Sequence, residues 1–539
     1  MSNRRAVVKS IRIHDKEISE ESIQHWLRDK IITIRHYDQK KVALDCPFSQ
    51  FGLDSIHLMS ILSELEIMLD RELPDSLFND YPTIRTLSLF LSRNPLKDKL
   101  PQPPNNNAPG LHGLKSPVTE DDSGSPPPID IFDNTKKMPL MARANLFCPM
   151  PPEYGEVRRY LMRPLTSPQD REVTIMDPFT NEKTKMLMFG SNNYLGFAND
   201  PYIKNKVIET INQYGTGIGS APLLSGYTEL HAQLEERLAA FKQKETALVF
   251  PNGFAANGGM LNALVTPHDL LVFDEYSHAS FIEGVKTLRS KSMVFSHNQA
   301  ASLAEELSLD NGQFQDIYVG VEGVYSMDGD LAPLDEIVNV CHARGAMLIV
   351  DDAHGTGILG QHGSGTAELF HVSREVDIHM GTFSKAIAVN GGFVAAQKEI
   401  VEFLRFMARS YMFSASPPPP MVASVLAALD LIENEPWRRE KLHANIRYLS
   451  DKLKQMGLLH ADARSAIFPL MIPNDMDRKQ ARYVFHSRGL FINTSEYPAV
   501  PKDKQRFRIS LMAQHTQEDI NKLCECIEEV WATCRQSDR

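Results

Sequence analysis

One lysine stands in a segment whose composition suits covalent chemistry. Lys385 lies in GTFSKAIAVNGGF, residues 381–393, where no other side chain is charged and most are small or apolar. A lone lysine is usually a surface charge, but burial among such neighbours lowers the pKa of the ammonium group and leaves a nucleophilic amine. The segment therefore indicates a lysine that forms a Schiff base with a carbonyl group.

An acidic stretch 34 residues earlier supplies the carboxylate that such chemistry needs. The segment AMLIVDDAHGTG, residues 346–357, follows an apolar run with Asp351, Asp352 and His354. Pyridoxal phosphate acts as an electron sink when a carboxylate keeps its pyridine nitrogen protonated. A strand, a helix and a strand fit between Asp351 and Lys385, so both residues can reach one pocket. A metal site formed by Asp351, Asp352 and His354 is the alternative, although no further ligand set is evident.

Further polar groups follow other predicted strands. They are the backbone amides of Gly253 and Phe254, the ring of His278, the carboxyl of Glu322, and the hydroxyls of Thr382 and Ser384. Backbone amides at a helix start bind phosphate, and hydroxyl groups beside the lysine can add hydrogen bonds. The histidine ring could lie on the cofactor face. These positions indicate a complete cofactor site.

A separate segment, FGLDSIHLMSI at residues 51–61, places Ser55 between an acid and an apolar run. A serine in such a position is usually a helix N-cap. The segment resembles the phosphopantetheine attachment site of acyl and peptidyl carrier proteins, and YPTIRTLSLF, residues 81–90, resembles the last helix of that family. The resemblance implies that a phosphopantetheinyl transferase attaches 4′-phosphopantetheine to Ser55. The arm would then carry an acyl thioester that a separate enzyme loads.

The elements that position these residues are predicted by two patterns of apolar residues, one typical of helices and one of alternating strands and helices. In residues 12–94, apolar residues such as Ile23, Leu27 and Ile31 recur at helical spacing and predict a small all-α, four-helix carrier domain. Later in the chain, apolar strands alternate with segments long enough for helices: TALVF (246–250), LLVF (270–273), IYVGVE (317–322), AMLIV (346–350) and VDIHM (376–380). This alternation predicts a mainly parallel sheet covered on both faces.

Changes in amino-acid composition along the chain indicate where one predicted domain ends and the next begins. Residues 95–139 are rich in proline, asparagine, serine and glycine, which predicts a flexible linker. About 45 such residues span roughly 35–40 Å root-mean-square. We assign residues 140–417 to an N-terminal segment and a large cofactor-binding domain, and residues 418–539 to a smaller C-terminal α/β domain.

Bulk composition excludes several classes of function. The chain has 539 residues and a net charge of −11, which argues against a nucleic-acid partner. Its six cysteines are scattered and indicate reduced thiols in a cytoplasmic protein. The first residues lack the apolar stretch of a signal peptide, and no apolar run of about 18 residues predicts a membrane span.

Taken in order, seven motifs resemble the α-oxoamine synthase family of pyridoxal-phosphate enzymes. They are SNNYLGF, SHAS, EGVYSMDGD, VDDAHGTG, GTFSK, FSASPPP and RFRISL. The resemblance runs from about residue 150 to the C-terminus and implies fold type I, the aspartate aminotransferase-like α/β fold. GTFSK and FSAS are most similar to serine palmitoyltransferases, which favours serine as the amino acid. One departure is Ala388, where many members have glycine.

The resemblance also implies a role for each matching residue. Lys385 would form the internal aldimine and move the α-proton, Asp351 would pair with the pyridine nitrogen, and His354 would bind the ring hydroxyl. His278 would stack on the cofactor ring, and Ser414 of a second subunit would bind the phosphate. Arg508 would bind the substrate carboxylate, and Asn192 and Glu322 would line the site. The other residues that would bind the cofactor are Gly253, Phe254, Thr382 and Ser384. The family's sites lie at a homodimer interface, so a homodimer is expected.

The implied reaction is a decarboxylating condensation of an amino acid with an acyl thioester, giving a 2-amino ketone. A long acyl chain with serine would give a product like 3-ketosphinganine in lipid synthesis, and an unusual acyl group would indicate a secondary metabolite. The fused carrier domain predicts that the thioester is held on Ser55. Two alternatives are an aminotransferase acting on a carrier-tethered substrate and a non-catalytic scaffold.

Overall fold

A computed structural model of the chain describes residues 19–35, 42–53, 55–69, 73–74, 77–93, 139–145, 162–177, 180–496 and 500–535. Two compact units make up the structure: a helical unit drawn from residues before 125 together with Ser292–Val294, and a larger unit drawn from the other residues after 124. The predicted linker, residues 95–139, lies outside the described residues except for Pro139. The predicted domain borders therefore stay predictions.

The described residues of the helical unit form four α-helices, as the periodicity predicts. They are α1 (Glu20–Arg35), α2 (Ser55–Leu69), α3 (Leu77–Asp80) and α4 (Ile84–Arg93), with a 3-10 turn at Phe48–Phe51. Helix α1 buries Ile23, Leu27 and Ile31 because these residues recur on one face. Helix α2 begins at Ser55, the residue predicted to carry the arm. The prediction of a small all-α unit is confirmed.

Thirteen strands lie among the described residues after residue 124. They are β1 (Glu172–Met176), β2 (Lys183–Met188), β3 (Thr246–Phe250), β4 (Leu270–Asp274), β5 (Lys291–Phe295), β6 (Ile317–Glu322), β7 (Met347–Asp351), β8 (Ile378–Thr382), β9 (Gly392–Ala396), β10 (Ile467–Met471), β11 (Leu490–Phe491), β12 (Asn493–Ser495) and β13 (Arg506–Ser510).

Helices of the larger unit cover and connect these strands. They are α5 (Leu140–Asn145), α6 (Pro201–Tyr214), α7 (Glu229–Lys242), α8 (Gly253–Leu264), α9 (Ala279–Lys286), α10 (Ala300–Leu307), α11 (Leu334–Arg344), α12 (Thr366–Leu369), α13 (Lys398–Met407), α14 (Arg409–Met412), α15 (Pro419–Asn434), α16 (Trp437–Gln455), α17 (Arg478–Ser487) and α18 (Gln517–Thr533). In the part of the chain that the structure describes, none of the helices has the length and apolar character needed to cross a bilayer.

The central sheet has seven strands in the order β3-β9-β8-β7-β6-β4-β5. Strands β4, β6, β7 and β8 pair in parallel, whereas β9 is antiparallel to both of its neighbours. The prediction of a mainly parallel sheet is confirmed, and the observed bounds of β3 and β6 coincide with the predicted ones. Strands β5 and β9 were not predicted.

Two three-stranded sheets accompany the central sheet: the one containing β13 is antiparallel, and the one containing β2 is mixed, because β11 pairs with β2 in parallel. Strand β13 lies between β10 and β12, and β2 lies between β1 and β11. Strand β13 matters for the site because Arg506 and Arg508 lie two residues apart on it, and side chains two apart in a strand point to the same face.

Candidate active site

A cavity of about 230 Å³ lies where the carboxyl ends of the parallel strands meet the start of α8. In open parallel sheets this edge collects the functional groups of several crossover units. The cavity is lined by Asn252, Gly253, Phe254, His278, Ser280, Glu322, Asp351, Ala353, His354, Met380, Thr382, Ser384 and Lys385. Nine of these residues were predicted, and the sheet brings them together from the ends of five strands, β3, β4, β6, β7 and β8.

Lys385 follows β8 and reaches the cavity from a turn in which the amide of Ala388 donates to the Lys385 carbonyl at 3.0 Å. Burial lowers the pKa of the Lys385 amine, and the positive charge of Arg508 lowers it further. A lowered pKa raises the fraction of neutral, nucleophilic amine. The same turn holds Ala388 at a φ of 60°, in the left-handed region that favours glycine.

Asp351 ends β7 and belongs to a chain of polar contacts that leads to His278. Its carboxylate accepts hydrogen bonds from Asn257 Nδ2 at 2.8 Å and from the amide of Ala353 at 3.1 Å. The same Asn257 nitrogen donates to Ser280 Oγ at 2.9 Å, and Ser280 Oγ lies 2.7 Å from His278 Nδ1. The amide of Ser280 also donates to that ring nitrogen, at 3.2 Å. Nδ1 of His278 is therefore an acceptor.

His354 is fixed from the opposite side by a second polar chain. Arg508 Nη1 donates to Asn192 Oδ1 at 3.1 Å, so the atom of Asn192 in this contact is the carbonyl oxygen. The Tyr194 hydroxyl donates to the same oxygen at 3.0 Å. Its single proton is then used, so the 2.8 Å contact with His354 Nδ1 requires a proton on that nitrogen.

The protonation of His354 follows from its surroundings. The ring is buried, which lowers its pKa well below the ordinary value of 6.5, and the charges of Lys385 and Arg508 lower it further. A neutral imidazole carries one N–H, which here lies on Nδ1. Nε2 is consequently a hydrogen-bond acceptor. Asn192 and Arg508 do not line the cavity, but this chain connects them to His354, which does.

The start of α8 forms the part of the cavity suited to an anion. Asn252 caps the helix by accepting from the amide of Ala255 at 2.7 Å, and Gly253 is the first helical residue. A Cβ at Gly253 would lie 2.9 Å from Thr382 Cβ, so the close approach of the two segments requires glycine. Thr382 Oγ1 lies 3.0 Å from Ser384 Oγ. Amides at a helix start together with two hydroxyls suit a phosphate group.

Glu322 ends β6 beside Asp351 and is almost completely buried, with 3% of its surface exposed. Its Oε1 atom is buried and has no hydrogen-bond partner in the part of the chain that the structure describes. Burial raises the pKa of this carboxyl well above its ordinary value, and the charge of Asp351 raises it further.

Two arginines of β13 hold the loop that follows Glu322. Arg508 Nε donates to the Ser326 carbonyl at 2.7 Å, and Arg506 Nη1 donates to the Met327 carbonyl at 3.0 Å. Arg506 also pairs with Asp328 at 2.5 Å. The side chain of Arg506 is 2% exposed, although sequence reasoning gave it no role.

Asp352, which the metal alternative required, has other partners. It forms an ion pair with Lys242 at 2.9 Å, and both side chains are 1% exposed. Thr366 Oγ1 donates to the other carboxylate oxygen at 2.7 Å. Among the described residues, no group of three or more His, Cys, Asp and Glu side chains is arranged to hold a metal ion. Asp352 is a structural carboxylate beneath the cavity.

A second charged cluster flanks the site. His297 lies 2.9 Å from Asp274 through Nδ1 and 2.8 Å from Asp330 through Nε2. Burial lowers the pKa of His297, but the hydrogen bonds to both aspartates outweigh it and raise the pKa to about 10. The ring of Tyr276 stacks on this imidazolium at 4.2 Å between centroids.

Besides Asn192 and Arg508, two predicted residues are not among the lining residues. Ser414 follows α14, at the end of Arg409–Met412. Ser55 belongs to the helical unit. Conversely, sequence reasoning missed Tyr194, Asn257 and Ser280, although Tyr194 lies in the quoted motif SNNYLGF and Ser280 in SHAS.

The residues around the cavity fit pyridoxal phosphate. An amine of lowered pKa, a buried carboxylate, a helix start beside two hydroxyls and an unpartnered oxygen of Glu322 lie around one cavity. These groups match the aldehyde, the ring nitrogen and the phosphate of that cofactor.

Comparisons with protein families assign both parts of the chain. Residues 184–527 match the family described as aminotransferase class I and II. Residues 25–91 match the family described as phosphopantetheine attachment site.

Curated relatives and solved structures indicate which enzymes the aminotransferase-like residues resemble. A serine palmitoyltransferase of Bacteriovorax stolpii is 37% identical over 358 residues, which cover 66% of this chain and 85% of that protein. The 8-amino-7-oxononanoate synthase 1 of Bacillus subtilis is 36% identical over 345 residues, covering 64% of this chain and 88% of that protein. A solved structure of serine palmitoyltransferase with a pyridoxal phosphate internal aldimine has a TM-score of 0.64 and 30% identity, covering 69% of this chain and 92% of that one.

Proposed function

This chain belongs to the α-oxoamine synthase family of pyridoxal-phosphate-dependent acyltransferases, and from that membership we propose that it condenses an α-amino acid with an acyl thioester held on its own phosphopantetheine arm. The amino acid loses carbon dioxide, and the product is a 2-amino ketone. One observation carries the proposal: a single chain combines the cavity around Lys385 and Asp351 with a carrier-type unit in which a helix begins at Ser55.

Each residue of the cavity has a different role toward the cofactor. When bound, pyridoxal phosphate withdraws electrons and so stabilises negative charge on the α-carbon of the amino acid. Lys385 holds the cofactor and then moves the proton of that carbon, for which a neutral amine is required. Asp351 would pair with the pyridine nitrogen, and His278 would stack on the ring. Gly253 and the other groups at the start of α8 would hold the phosphate.

The amino acid is held by its carboxylate. Arg508 is the proposed ligand because its guanidinium group is cationic and its contacts with Ser326, Asn192 and Ser510 use Nε and Nη1, which leaves the Nη2 protons to donate to a carboxylate. Asn192 and Ser326 orient Arg508 by accepting hydrogen bonds from it at 3.1 and 2.7 Å. Serine is the favoured substrate, since serine palmitoyltransferases are among the relatives.

A homodimer completes the site. Phe254, Phe403 and Phe413 are 56%, 47% and 77% exposed, and they lie on α8, α13 and at the end of α14, which pack against one another next to the cavity. Such a cluster of exposed aromatic side chains is typical of an interface. Ser414 directly follows Phe413 and would reach the phosphate of the other subunit.

The acyl group arrives on the arm of Ser55. A phosphopantetheinyl transferase and an acyl-loading enzyme are the required partners, and the cytoplasm is the expected compartment for both. Tethering keeps the thioester at an effective concentration of roughly millimolar or somewhat less, depending on linker length. The predicted linker at residues 95–139 supports this delivery.

The test is a mass measurement on the full chain. The protein is loaded on Ser55 with a long acyl group, and its intact mass is followed after pyridoxal phosphate and one amino acid are added. We expect the acyl mass to disappear with serine and an equal amount of carbon dioxide and amino ketone to form. Retention of the acyl mass without carbon dioxide, together with conversion of the cofactor to its amine form, would identify the aminotransferase alternative.

The control separates the carrier from the catalytic unit. Ser55→Ala should lose turnover of a carrier-loaded donor but keep cofactor binding. If Ser55→Ala with free acyl coenzyme A is as efficient as the loaded wild type, delivery from the arm is wrong while the condensation stands.

A further inference from the structure

Two carboxyl groups lie side by side in the wall of the cavity. Strands β6 and β7 are parallel neighbours, and Glu322 is paired in register with Asp351. Side chains at paired positions of neighbouring strands point to the same face of a sheet. Only 3% of Glu322 and 4% of Asp351 is exposed. Two like charges this close in a buried site do not both stay ionised.

The hydrogen-bond partners decide which of the two holds the proton. Asp351 accepts from Asn257 Nδ2 and from the Ala353 amide, and both donors stabilise a carboxylate. Glu322 accepts from the backbone at Ser326 and His278, yet its Oε1 atom is buried without a partner in the described part of the chain. A proton on Oε1 removes the charge that this atom would otherwise carry unpaired.

Burial and the charge of Asp352 raise the pKa of Asp351 as well, but the other charged groups that face the pair favour a proton on Glu322. Asp274 from β4 and Asp351 from β7 act on Glu322 and, together with burial, raise its pKa. Lys385 faces both carboxyl groups, and His278 acts on Asp351. Burial lowers the pKa values of both basic groups, which weakens their ability to offset a second carboxylate.

We propose that Glu322 is a neutral carboxylic acid in the resting enzyme and that its proton is a hydrogen-bond donor to an oxygen or nitrogen atom of the group bound in the cavity. Asp351 is the charged member of the pair. Glu322 thus contributes a donor without adding negative charge beside the ring. The identity of the bound group rests on the proposed function, whereas the position of the proton does not.

The first test measures the thermal stability of the cofactor-free protein between about pH 5 and pH 8. A carboxyl whose pKa is raised by folding makes the wild type less stable as pH rises, because the unfolded chain loses that proton first. Glutamine mimics the neutral acid and does not titrate. We therefore expect the Tm of Glu322→Gln to exceed that of the wild type by a margin that grows by a few °C over this range.

Glu368→Gln is the matched control. Burial raises the pKa of Glu368, but its hydrogen bonds to His362 and Ser364 outweigh this and leave the pKa lowered. This variant should therefore lose Tm relative to the wild type by a margin that stays nearly constant between pH 5 and pH 8, because both the folded and the unfolded pKa of Glu368 lie below this range. If Glu322→Gln follows the trend of Glu368→Gln, Glu322 is ionised and the proposal is overturned.

The second test measures pyridoxal phosphate affinity by titration. Glu322→Gln should bind within about threefold of the wild type, whereas Glu322→Ala, which lacks the donor, should bind about tenfold more weakly. Equal losses in both variants would overturn the proposed donor. If the wild type itself fails to bind pyridoxal phosphate, the proposed function fails, and the pH dependence of the Tm still decides where the proton lies.

Discussion

Removing the Tyr194 hydroxyl tests the chain that connects Arg508 to His354. In Tyr194→Phe, Asn192 Oδ1 loses a donor at 3.0 Å and His354 Nδ1 loses an acceptor at 2.8 Å. Each hydrogen bond contributes about 0.5–1.5 kcal/mol, and a buried N–H left unpaired costs about 1–3 kcal/mol. We expect unfolding to become easier by about 1–3 kcal/mol, which denaturant titration measures.

The Tyr194→Phe substitution should also reduce catalytic efficiency. Without the hydroxyl, the proton of His354 is no longer confined to Nδ1, so Nε2 is not held as an acceptor toward the cavity. We expect kcat/KM to fall about 10- to 100-fold, corresponding to about 1.4–2.8 kcal/mol. Binding of pyridoxal phosphate should weaken in parallel, because His354 lines the cavity.

Tyr448→Phe is the matched control for this variant. Its hydroxyl donates to Asn521 Oδ1 at 2.7 Å, between α16 and α18 and away from the lining residues. This control should lose stability but keep kcat/KM. If Tyr194→Phe reduces kcat/KM no more than Tyr448→Phe does, the hydroxyl has only a structural role and the inferred tautomer of His354 is wrong.

Three further variants probe the surroundings of the site. Lys242→Met leaves its buried aspartate partner uncompensated and should cost about 3–5 kcal/mol by denaturant unfolding, while Lys286→Met in an exposed pair should change little. Ala388→Gly relieves a left-handed φ and should stabilise by up to about 1 kcal/mol, whereas Ala386→Gly, where the side chain is buried, should destabilise. His297→Gln should destabilise most below about pH 6.5 and progressively less toward pH 10, because a raised pKa stabilises only while the folded ring keeps its proton; a loss that grows with pH would contradict this.

The sequence predicts the site better than it predicts the contacts that organise it. Lys385, Asp351 and Glu322 follow apolar runs that are visible in the chain, and the parallel topology brings such positions to one edge. Asn257 gives no comparable signal, since a polar residue within a helix acquires its partners only when α8 and α9 pack. The paired positions of Glu322 and Asp351 likewise depend on the register between two strands.

The missed strands have a similar cause. Strand β9 reads GFVAA, with one β-branched residue, so its local preference for a strand is weak. It is nevertheless buried along its whole length between β3 and β8. The pairing of two neighbours, rather than the properties of the segment itself, determines its conformation. For Ala388, the departure noted in the sequence has a backbone explanation, because its φ is positive.

The hydrogen bonds from Arg506 and Arg508 to residues 326–328 restrict how the larger unit can move. Both side chains leave the same face of β13, and both hold backbone carbonyls of that loop. A rotation of the C-terminal region about a hinge would therefore carry the loop with it as one rigid body. Because Glu322 immediately precedes the loop, such a rotation would bend the chain at the wall of the cavity. Opening and closing of this enzyme would then be transmitted directly to its carboxyl pair.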